Sequence, residues 1–277
     1  MSAVRRGVAR HAYSLLLSVL KPAYLFKLWW RGREEPLYRH AVLERLGVYR
    51  HQRSEGWVWV HAVSLGETRA AASLIEALRE QLPGMRLLLT HGTATGREAG
   101  RALLRPGDAQ AWLPYDTPSV VRRFFAQFRP RVGVLMETEV WPNLLHAAHA
   151  AGVPMALANA RLSEKSLRQA KRLEAVMRPA VDTLSLVLAQ TPDDAARLRE
   201  AGAARVEVCG NLKFDMTPAA ELLERGREWR RSVAPRPVLL AASTREGEEE
   251  MLLAAWRERP SPRPLLLLVP RHPQRFD

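Results

Sequence analysis

The sequence is poor in cysteine and in long apolar runs. Cys209 is the only cysteine among 277 residues, so the chain can form neither an internal disulfide nor a metal site built from several thiolates. So little cysteine is typical of a protein from a reducing compartment. No run reaches the roughly 18 uninterrupted apolar residues of a simple transmembrane helix, and no small-residue cleavage site of a signal peptide follows the first apolar stretch.

Common cofactor and nucleophile motifs are also missing. No glycine fingerprint of dinucleotide-binding proteins follows the first predicted strand, since the nearest glycines, Gly92, Gly96 and Gly100, are four residues apart and follow the second. The sequence contains no Walker lysine motif, no HExxH and no GxSxG. These absences argue against nicotinamide-dependent oxidoreduction and nucleotide hydrolysis. Nothing in the sequence demands a metal or an organic cofactor.

The composition supplies enough apolar material for a large core. Apolar residues make up 47% of the chain and charged residues 26%, a globular composition that excludes disorder and collagen-like repeats. A length of 277 residues is too great for one ordinary domain and suits about one and a half to two domains.

Positive charge is in excess and unevenly distributed. The net charge is +13, which indicates an anionic partner. Residues 1–50 hold ten Lys or Arg and three Glu, a net charge of +7, so more than half of the excess lies in the first fifth of the chain. In the same segment, the basic residues interrupt or flank apolar and aromatic stretches.

This pattern predicts that residues 1–50 form a membrane-associated helical segment. Tyr13, Tyr24, Trp29 and Trp30 are residues that favour the head-group level of a bilayer, and the cations suit an anionic membrane surface. Two alternatives stay open: a tilted, shallow insertion, and a helix docked on the protein's own core. Nucleic acid is disfavoured as a partner, because the aromatic residues are embedded in an aliphatic face rather than spread along a polar groove.

From residue 57 onward, short apolar runs, loops rich in Gly, Ser, Thr or Asn, and amphipathic stretches follow one another in a fixed order. This alternation predicts right-handed βαβ units and an open parallel sheet, an α/β fold. Ligands bind at the carboxyl ends of the strands in such sheets. Strands are predicted at 57–62, 86–90, 109–113, 132–136, 153–158, 184–189 and 206–208, and helices at 68–81, 118–128, 142–151, 164–177 and 192–201.

A second, shorter cycle follows. Helices are predicted at 218–231 and 247–258, and strands at 238–242 and 265–269. Two strands and two helices cannot cover both faces of a parallel sheet. The sequence therefore predicts a complete α/β domain at 51–210 and an incomplete one at 211–277.

Two loops place carboxylates at predicted strand ends. Glu67 ends the segment HAVSLGE and opens the next helix, where a carboxylate is ordinarily favoured by the helix dipole. A general base also belongs at such a position, and the loop alone leaves both interpretations open. Glu137 and Glu139 follow the fourth strand two residues apart. Two acids so close are less easily explained as structure, because like charges raise one another's pKa.

Single cations follow other predicted strands: Arg161, Lys213, Arg245 and Arg271. An isolated cation at a strand end suits a phosphate or a carboxylate.

Seven sequence motifs, taken in their order along the chain, resemble those of one protein family. Together they resemble the 3-deoxy-D-manno-octulosonic acid (Kdo) transferases of lipopolysaccharide synthesis, from the N-terminal helix to Phe276. The resemblance implies a GT-B-type glycosyltransferase with two Rossmann-like parallel-sheet domains. The first would bind the lipid acceptor at 51–210, and the second would bind the CMP-activated sugar at 211–277. The motifs are HAVSLGE, LPYD, METEVWPN, ANARLS, GNLKFD, STREGEE and PRHPQRF.

The resemblance also implies roles for individual residues. Glu67 would be the general base that deprotonates the acceptor hydroxyl on a lipid A precursor, lipid IVA. Glu137 and Lys213 would stabilise the transition state, while Glu139 is interpreted as structural. Pro270 and Arg271 would contact the CMP-Kdo donor. The implied reaction is an inverting single displacement at the cytoplasmic side of the inner membrane, without a metal or cofactor.

Members of this family continue well beyond the PRHPQRF-like motif, so we expect a C-terminally truncated form with only part of the donor site. Two other functions stay open. One is a catalytically impaired, membrane-associated protein that binds lipid A precursor. The other is a GT-B transferase that uses a UDP- or GDP-activated sugar.

Overall fold

The computed structural model describes residues 3–51, 53–215, 220–271 and 275. The chain divides into two compact units, Met1–Met216 and Thr217–Asp277. The first unit thus includes the segment 211–216, which the sequence analysis assigns to the second domain.

The first unit contains a seven-stranded sheet in the order β3-β2-β1-β4-β5-β6-β7. Every neighbouring pair is parallel, so the predicted α/β fold is confirmed. Consecutive strands run outward from β1 to β3 on one side and from β4 to β7 on the other. The strands are β1 Trp57–His61, β2 Arg86–His91, β3 Ala109–Trp112, β4 Val132–Met136, β5 Met155–Ala160, β6 Leu186–Ala189 and β7 Val206–Val208.

Eight α-helices of the described part of this unit accompany the sheet. Four begin at an N-cap Ser or Thr whose side chain accepts a backbone N–H of the first turn: Ser64, Thr93, Ser163 and Thr191. The helices are α1 Ala3–Arg31, α2 Leu65–Gln81, α3 Ala94–Gly100, α4 Pro118–Phe128, α5 Pro142–Ala150, α6 Glu164–Arg172, α7 Glu174–Val181 and α8 Pro192–Glu200.

The strands are apolar on both faces because helices cover both sides of the sheet. One face carries Trp59, which packs against Phe124 and Phe125 of α4. The other face carries Val60, which belongs to a cluster with Ile75 of α2. Between them, these two layers of side chains hold the carboxyl ends of the strands in place.

The second unit contains two parallel strands, β8 Val238–Thr244 and β9 Leu265–Pro270, with α10 Glu248–Arg257 between them in the chain. A further helix, α9 Ala220–Ser232, precedes β8. This is one βαβ unit, as the sequence predicts.

Two helical regions differ from the prediction. The stretch predicted as one helix at 164–177 forms α6 and α7, which meet at Leu173. Helix α3 was not predicted, because its glycines at positions 96 and 100 are unfavourable in a helix.

One face of the N-terminal helix α1 packs on the rest of the first unit. Tyr13 donates from its hydroxyl to Asp116 Oδ2 at 2.9 Å, and Ser14 donates to Asn143 Oδ1 at 3.1 Å. Tyr24 packs against Tyr115 with ring centroids 4.8 Å apart and accepts a hydrogen bond from Arg45. The alternative in which the helix docks on the protein is therefore correct for this face.

The opposite face of α1 carries a row of exposed apolar side chains, the apolar stripe: Val8, Leu15, Val19, Phe26 and Trp30. Their spacing of seven and four residues places them on one side of the helix. Among the described residues, no helix combines the length and apolarity needed to cross a bilayer. Association of this segment with a membrane surface stays a prediction.

Candidate active site

The candidate site lies where the strand order reverses. Strands β1 and β4 are neighbours in the sheet although two βα units separate them in sequence. Such a switch point opens a crevice at the carboxyl edge of an α/β sheet, and ligands bind there. Glu67 lies in the loop and helix after β1, and Glu137 follows β4 directly.

Glu67 is held by the first turn of α2. Its Oε2 accepts the Val63 N–H at 2.9 Å, and its Oε1 accepts the Ser64 hydroxyl at 2.8 Å. The Ser64 hydroxyl oxygen in turn accepts the Glu67 N–H at 3.3 Å. This reciprocal arrangement is a variant of the capping box in which the Val63 N–H takes the place of the Ser64 N–H, and it fixes the carboxylate at the start of α2. Glu67 thus contributes to the start of α2. Its role as general base stays a prediction, and the carboxylate has lone pairs to spare for it.

The surroundings of Glu67 favour its protonated form. Burial raises the pKa of this carboxyl above its ordinary value, against the opposing hydrogen bonds from Val63 and Ser64. The negative charges of Glu139 and Glu137 raise the pKa further. The three carboxylates therefore interact across the switch point, and Glu67 holds a proton more tightly than an exposed glutamate does.

Glu137 is a buried carboxylate between two cations. Glu137 is only 7% exposed to solvent. Both Nε and Nη2 of Arg161 lie 3.1 Å from its Oε2, and Lys213 Nζ lies 3.4 Å from its Oε1. A buried charge needs such partners. The structure thus brings the predicted residues Glu137 and Lys213 into contact and adds Arg161 to them.

The backbone at Glu137 is unusual for a residue with a side chain. Its φ of 57° lies in the left-handed region, which costs energy for residues other than glycine. The Glu137 N–H donates to the Ala158 carbonyl at 2.9 Å. This turn directs the chain off the end of β4.

Lys213 reaches the cluster because its segment is tied to the ends of β5 and β6. Asn159, at a φ of 52°, accepts the Leu212 N–H on its Oδ1 at 3.1 Å. Gln190 accepts from Asn211 Nδ2 at 3.1 Å and donates to the Asn159 carbonyl at 2.9 Å. The asparagines of the ANARLS and GNLKFD motifs therefore position a cation that lies far away in sequence.

Glu139, interpreted as structural from the sequence, forms an adjoining pair with His61. Glu139 Oε2 accepts the Trp141 indole N–H at 2.7 Å and lies 3.8 Å from His61 Nε2. His61 is fully buried, and its Nδ1 lies 2.9 Å from Thr90 Oγ1. The sequence shows that His61 ends an apolar strand. It does not show that Glu139, which follows another strand, lies beside it.

Among residues 3–51, 53–215, 220–271 and 275, no group of three or more His, Cys, Asp or Glu side chains could hold a metal ion. The polar side chains of the site are instead carboxylates and cations, a combination that suits proton transfer and the binding of an anionic group.

A family model matches the part of the chain that holds this candidate site. The family model described as 3-deoxy-D-manno-octulosonic-acid transferase matches residues 40–216, well over half of the chain. The chain belongs to the Kdo transferase family. The matched range contains Glu67, Glu137 and Lys213, so the family and the candidate site coincide in the first unit.

Curated Kdo transferases resemble the chain over nearly its whole length. The 3-deoxy-D-manno-octulosonic acid transferase of Bordetella pertussis is 48% identical over 98% of this chain and 66% of its own length. The enzyme of the same name from Haemophilus influenzae is 33% identical over 97% of this chain and 64% of its own length. The chain spans about two thirds of the length of these relatives.

Solved structures with a similar fold place the chain in the GT-B fold. The UDP-GlcNAc 2-epimerase of Neisseria meningitidis superposes with a TM-score of 0.50 at 15% identity, over 78% of this chain and 72% of its own. A Listeria monocytogenes protein described as a UDP-N-acetylglucosamine 2-epimerase gives a TM-score of 0.51 at 16% identity, over 78% and 62%. At such identity the likeness concerns the fold alone.

Pro270 and Arg271, predicted to bind the donor, lie in the second unit at the end of β9. Arg271 is exposed, and its N–H donates to the Thr244 carbonyl at 3.0 Å. Four other residues of that motif, His272, Pro273, Gln274 and Phe276, lie outside the described residues. Donor contact by Pro270 and Arg271 stays a prediction.

Proposed function

We propose that this protein transfers Kdo from CMP-Kdo to a hydroxyl of a lipid A precursor, lipid IVA, by an inverting single displacement. The observation that carries the proposal is the cluster at the switch point. It combines Glu67, a carboxylate whose pKa is raised, with Glu137 held by Arg161 and Lys213. Membership of the Kdo transferase family supports the choice of sugar and reaction class.

Glu67 acts as the general base in this proposal. A carboxylate with a raised pKa is a stronger base than an exposed one. The hydroxyl proton passes to the Glu67 carboxylate while the hydroxyl oxygen bonds to the anomeric carbon of Kdo. The bond from that carbon to the phosphate oxygen breaks, and CMP leaves with the electron pair. One displacement on one face inverts the anomeric centre and needs no covalent enzyme intermediate.

Lys213 and Arg161 supply positive charge at the same edge. Lys213 is about half exposed and has ammonium protons beyond the one that faces Glu137. These protons suit the departing phosphate or the carboxylate of the sugar. Glu137 orients both cations and places negative charge where the anomeric carbon becomes cationic.

The acceptor is a phosphorylated lipid, and we propose that the reaction takes place at the cytoplasmic side of the inner membrane. The apolar stripe of α1 and the net charge of +7 over residues 1–50 support binding to an anionic lipid surface.

The test replaces Glu67 and measures transfer from CMP-Kdo to lipid IVA by mass spectrometry of the lipid product. Glu67→Gln keeps an oxygen for the Val63 N–H but removes the base, so we expect transfer to fall by about 10²–10⁴-fold with folding retained. Glu67→Ala should lose as much activity and also some thermal stability, because it loses the capping box.

Glu80→Gln is the matched control, since Glu80 is an exposed glutamate on the same helix. It should behave like the wild type. Substantial transfer by Glu67→Gln would reject Glu67 as the base. Transfer from UDP-GlcNAc or GDP-mannose with none from CMP-Kdo would reject the donor.

A further inference from the structure

A second feature of the first unit is a cavity of about 600 Å³ beside the candidate site. Helices α6, α7 and α8 form most of its wall, and the loops after β4 and β5 complete it. The lining is mainly apolar, and its volume lies within the range of small-molecule pockets. Its apolar members include Val140, Leu162, Leu167, Met177, Val181 and Leu198.

The cavity shares two loops with the candidate site. Thr138 and Val140 line the cavity and alternate in sequence with Glu137 and Glu139. Leu162 lines it as well and follows Arg161, the cation bound to Glu137. The cavity and the carboxylate cluster therefore adjoin one another along these two loops.

The rim of the cavity is charged. Lys171 of α6 pairs with Glu200 of α8, and Arg178 pairs with Glu174 at 3.2 Å. Helix α6 also exposes an excess of cations over its one acid, Glu164: Lys165, Arg168, Lys171 and Arg172. An apolar cavity beside a cationic helix is complementary to an anionic amphiphile.

The helix break between α6 and α7 contributes to the opening. Leu173 at the break lines the cavity and is more than half exposed. An apolar side chain in this position loses contact with water when an apolar ligand enters. Helix α7 also packs against α1, so one helix connects the cavity wall with the segment that bears the apolar stripe.

We propose that this cavity holds a fatty acyl chain of the acceptor lipid while the sugar hydroxyl lies at Glu67. The identity of the lipid rests on the proposed function. The binding of an acyl chain is inferred from the apolar lining of the cavity. Each buried methylene should tighten binding by about fourfold.

The first test measures binding of alkyl phosphates to the full chain by calorimetry, at concentrations where they are monomeric. Octyl, decyl and tetradecyl phosphate should bind progressively more tightly, while butyl phosphate, which offers little more than a head group, should bind weakly. Ala170 of α6 lines the cavity and is half-buried, so Ala170→Trp should fill it and weaken tetradecyl phosphate binding by at least tenfold.

Ala196→Trp is the matched control, because Ala196 is an exposed alanine on α8 that is not part of the cavity wall. It should bind like the wild type. Ala201, at the end of α8, also lines the cavity, so Ala201→Phe provides a second blocked variant should Ala170→Trp unfold. Unchanged binding in a folded blocked variant would overturn the proposal, as would a loss that follows Leu15→Ser in α1 instead.

A second measurement separates this proposal from the proposed function. In Kdo transfer assays, Ala170→Trp should raise KM for lipid IVA at least tenfold and leave transfer to the deacylated acceptor unchanged. Glu67→Gln should show the converse, with transfer lost and tetradecyl phosphate binding retained. An equal KM increase for both acceptors would contradict the acyl-chain pocket. If the wild-type protein transfers Kdo to neither acceptor, the proposed reaction is contradicted, and the acyl-chain pocket is still judged by the binding measurements.

Discussion

The surroundings of the Glu67 carboxyl both raise and lower its pKa, so the pH dependence of activity tests which effect is larger. Burial and the charges of Glu139 and Glu137 raise its pKa, while the hydrogen bonds from Val63 and Ser64 lower it. As general base it acts in the deprotonated form, so activity should fall as the pH drops through the pKa of the folded protein. The acidic limb of a plot of kcat against pH should therefore lie above the range of an ordinary glutamate.

We predict that Glu139→Gln shifts this limb to lower pH. The substitution removes the charge that contributes most to raising the pKa of Glu67. The amide oxygen can still accept the Trp141 N–H, so the loop should keep its position. The measurement is the pH dependence of kcat for both proteins, and a limb that stays in place or moves to higher pH would contradict the electrostatic coupling.

The candidate site was only partly predictable from the sequence. Glu67 and Glu137 could be recognised because they lie in the segments that follow apolar strands and belong to recognisable motifs. The role of Arg161 as a partner of Glu137 and the proximity of Glu139 to His61 could not. Both depend on which strands are neighbours in the sheet, and a single sequence gives strand order along the chain but not across it.

At the scale of whole elements, strands were easier to predict than the short helix α3. All seven strands of the first unit coincide with predicted runs to within two residues at either end. Helix α3 has glycines four residues apart, which lowers its helix propensity. The structure explains these glycines by close packing: a Cβ at Gly96 would lie 2.7 Å from the Val63 carbonyl oxygen, and one at Gly100 would lie 2.5 Å from His91 Nε2.

We predict that Gly96→Ala destabilises the protein by about 1–3 kcal/mol, the usual cost of overpacking. The obstructing atom is a backbone oxygen, which cannot rotate away, so α3 must shift against the loop that holds Glu67. Thermal unfolding followed by circular dichroism measures the loss. Gly66→Ala is the control in the same loop, because its Cβ would meet only Ser64 Oγ at 3.9 Å. Equal melting temperatures for Gly96→Ala and the wild type would show that α3 is not tightly packed there.

At the scale of the whole molecule, the two faces of α1 differ in their surroundings. One docks on the first unit through Tyr13, Ser14 and Tyr24. The other is the exposed apolar stripe, which lies within residues 1–50 and their net charge of +7. The sequence predicted an amphipathic helix but could not show that the chain itself would cover one of the faces.

We predict that the double substitution Leu15→Ser and Val19→Ser weakens binding to vesicles of phosphatidylglycerol and phosphatidylethanolamine by more than tenfold. These side chains are 68% and 69% exposed, and burying each in lipid should contribute about 1–2 kcal/mol. They lie opposite the docked face, so folding should be unaffected. Vesicle flotation at increasing salt measures binding, and salt should weaken it in both proteins, because exposed charges are screened beyond about 8–10 Å.

The matched control is Leu222→Ser with Met251→Ser in the second unit, where the side chains are 61% and 74% exposed. Both pairs remove similar exposed apolar area, so general hydrophobic adhesion would weaken equally in the two variants. A surface specific to α1 requires that only the Leu15 and Val19 pair lose binding. Equal flotation of all three proteins would assign membrane binding to another surface, and the apolar stripe would then need a protein partner instead.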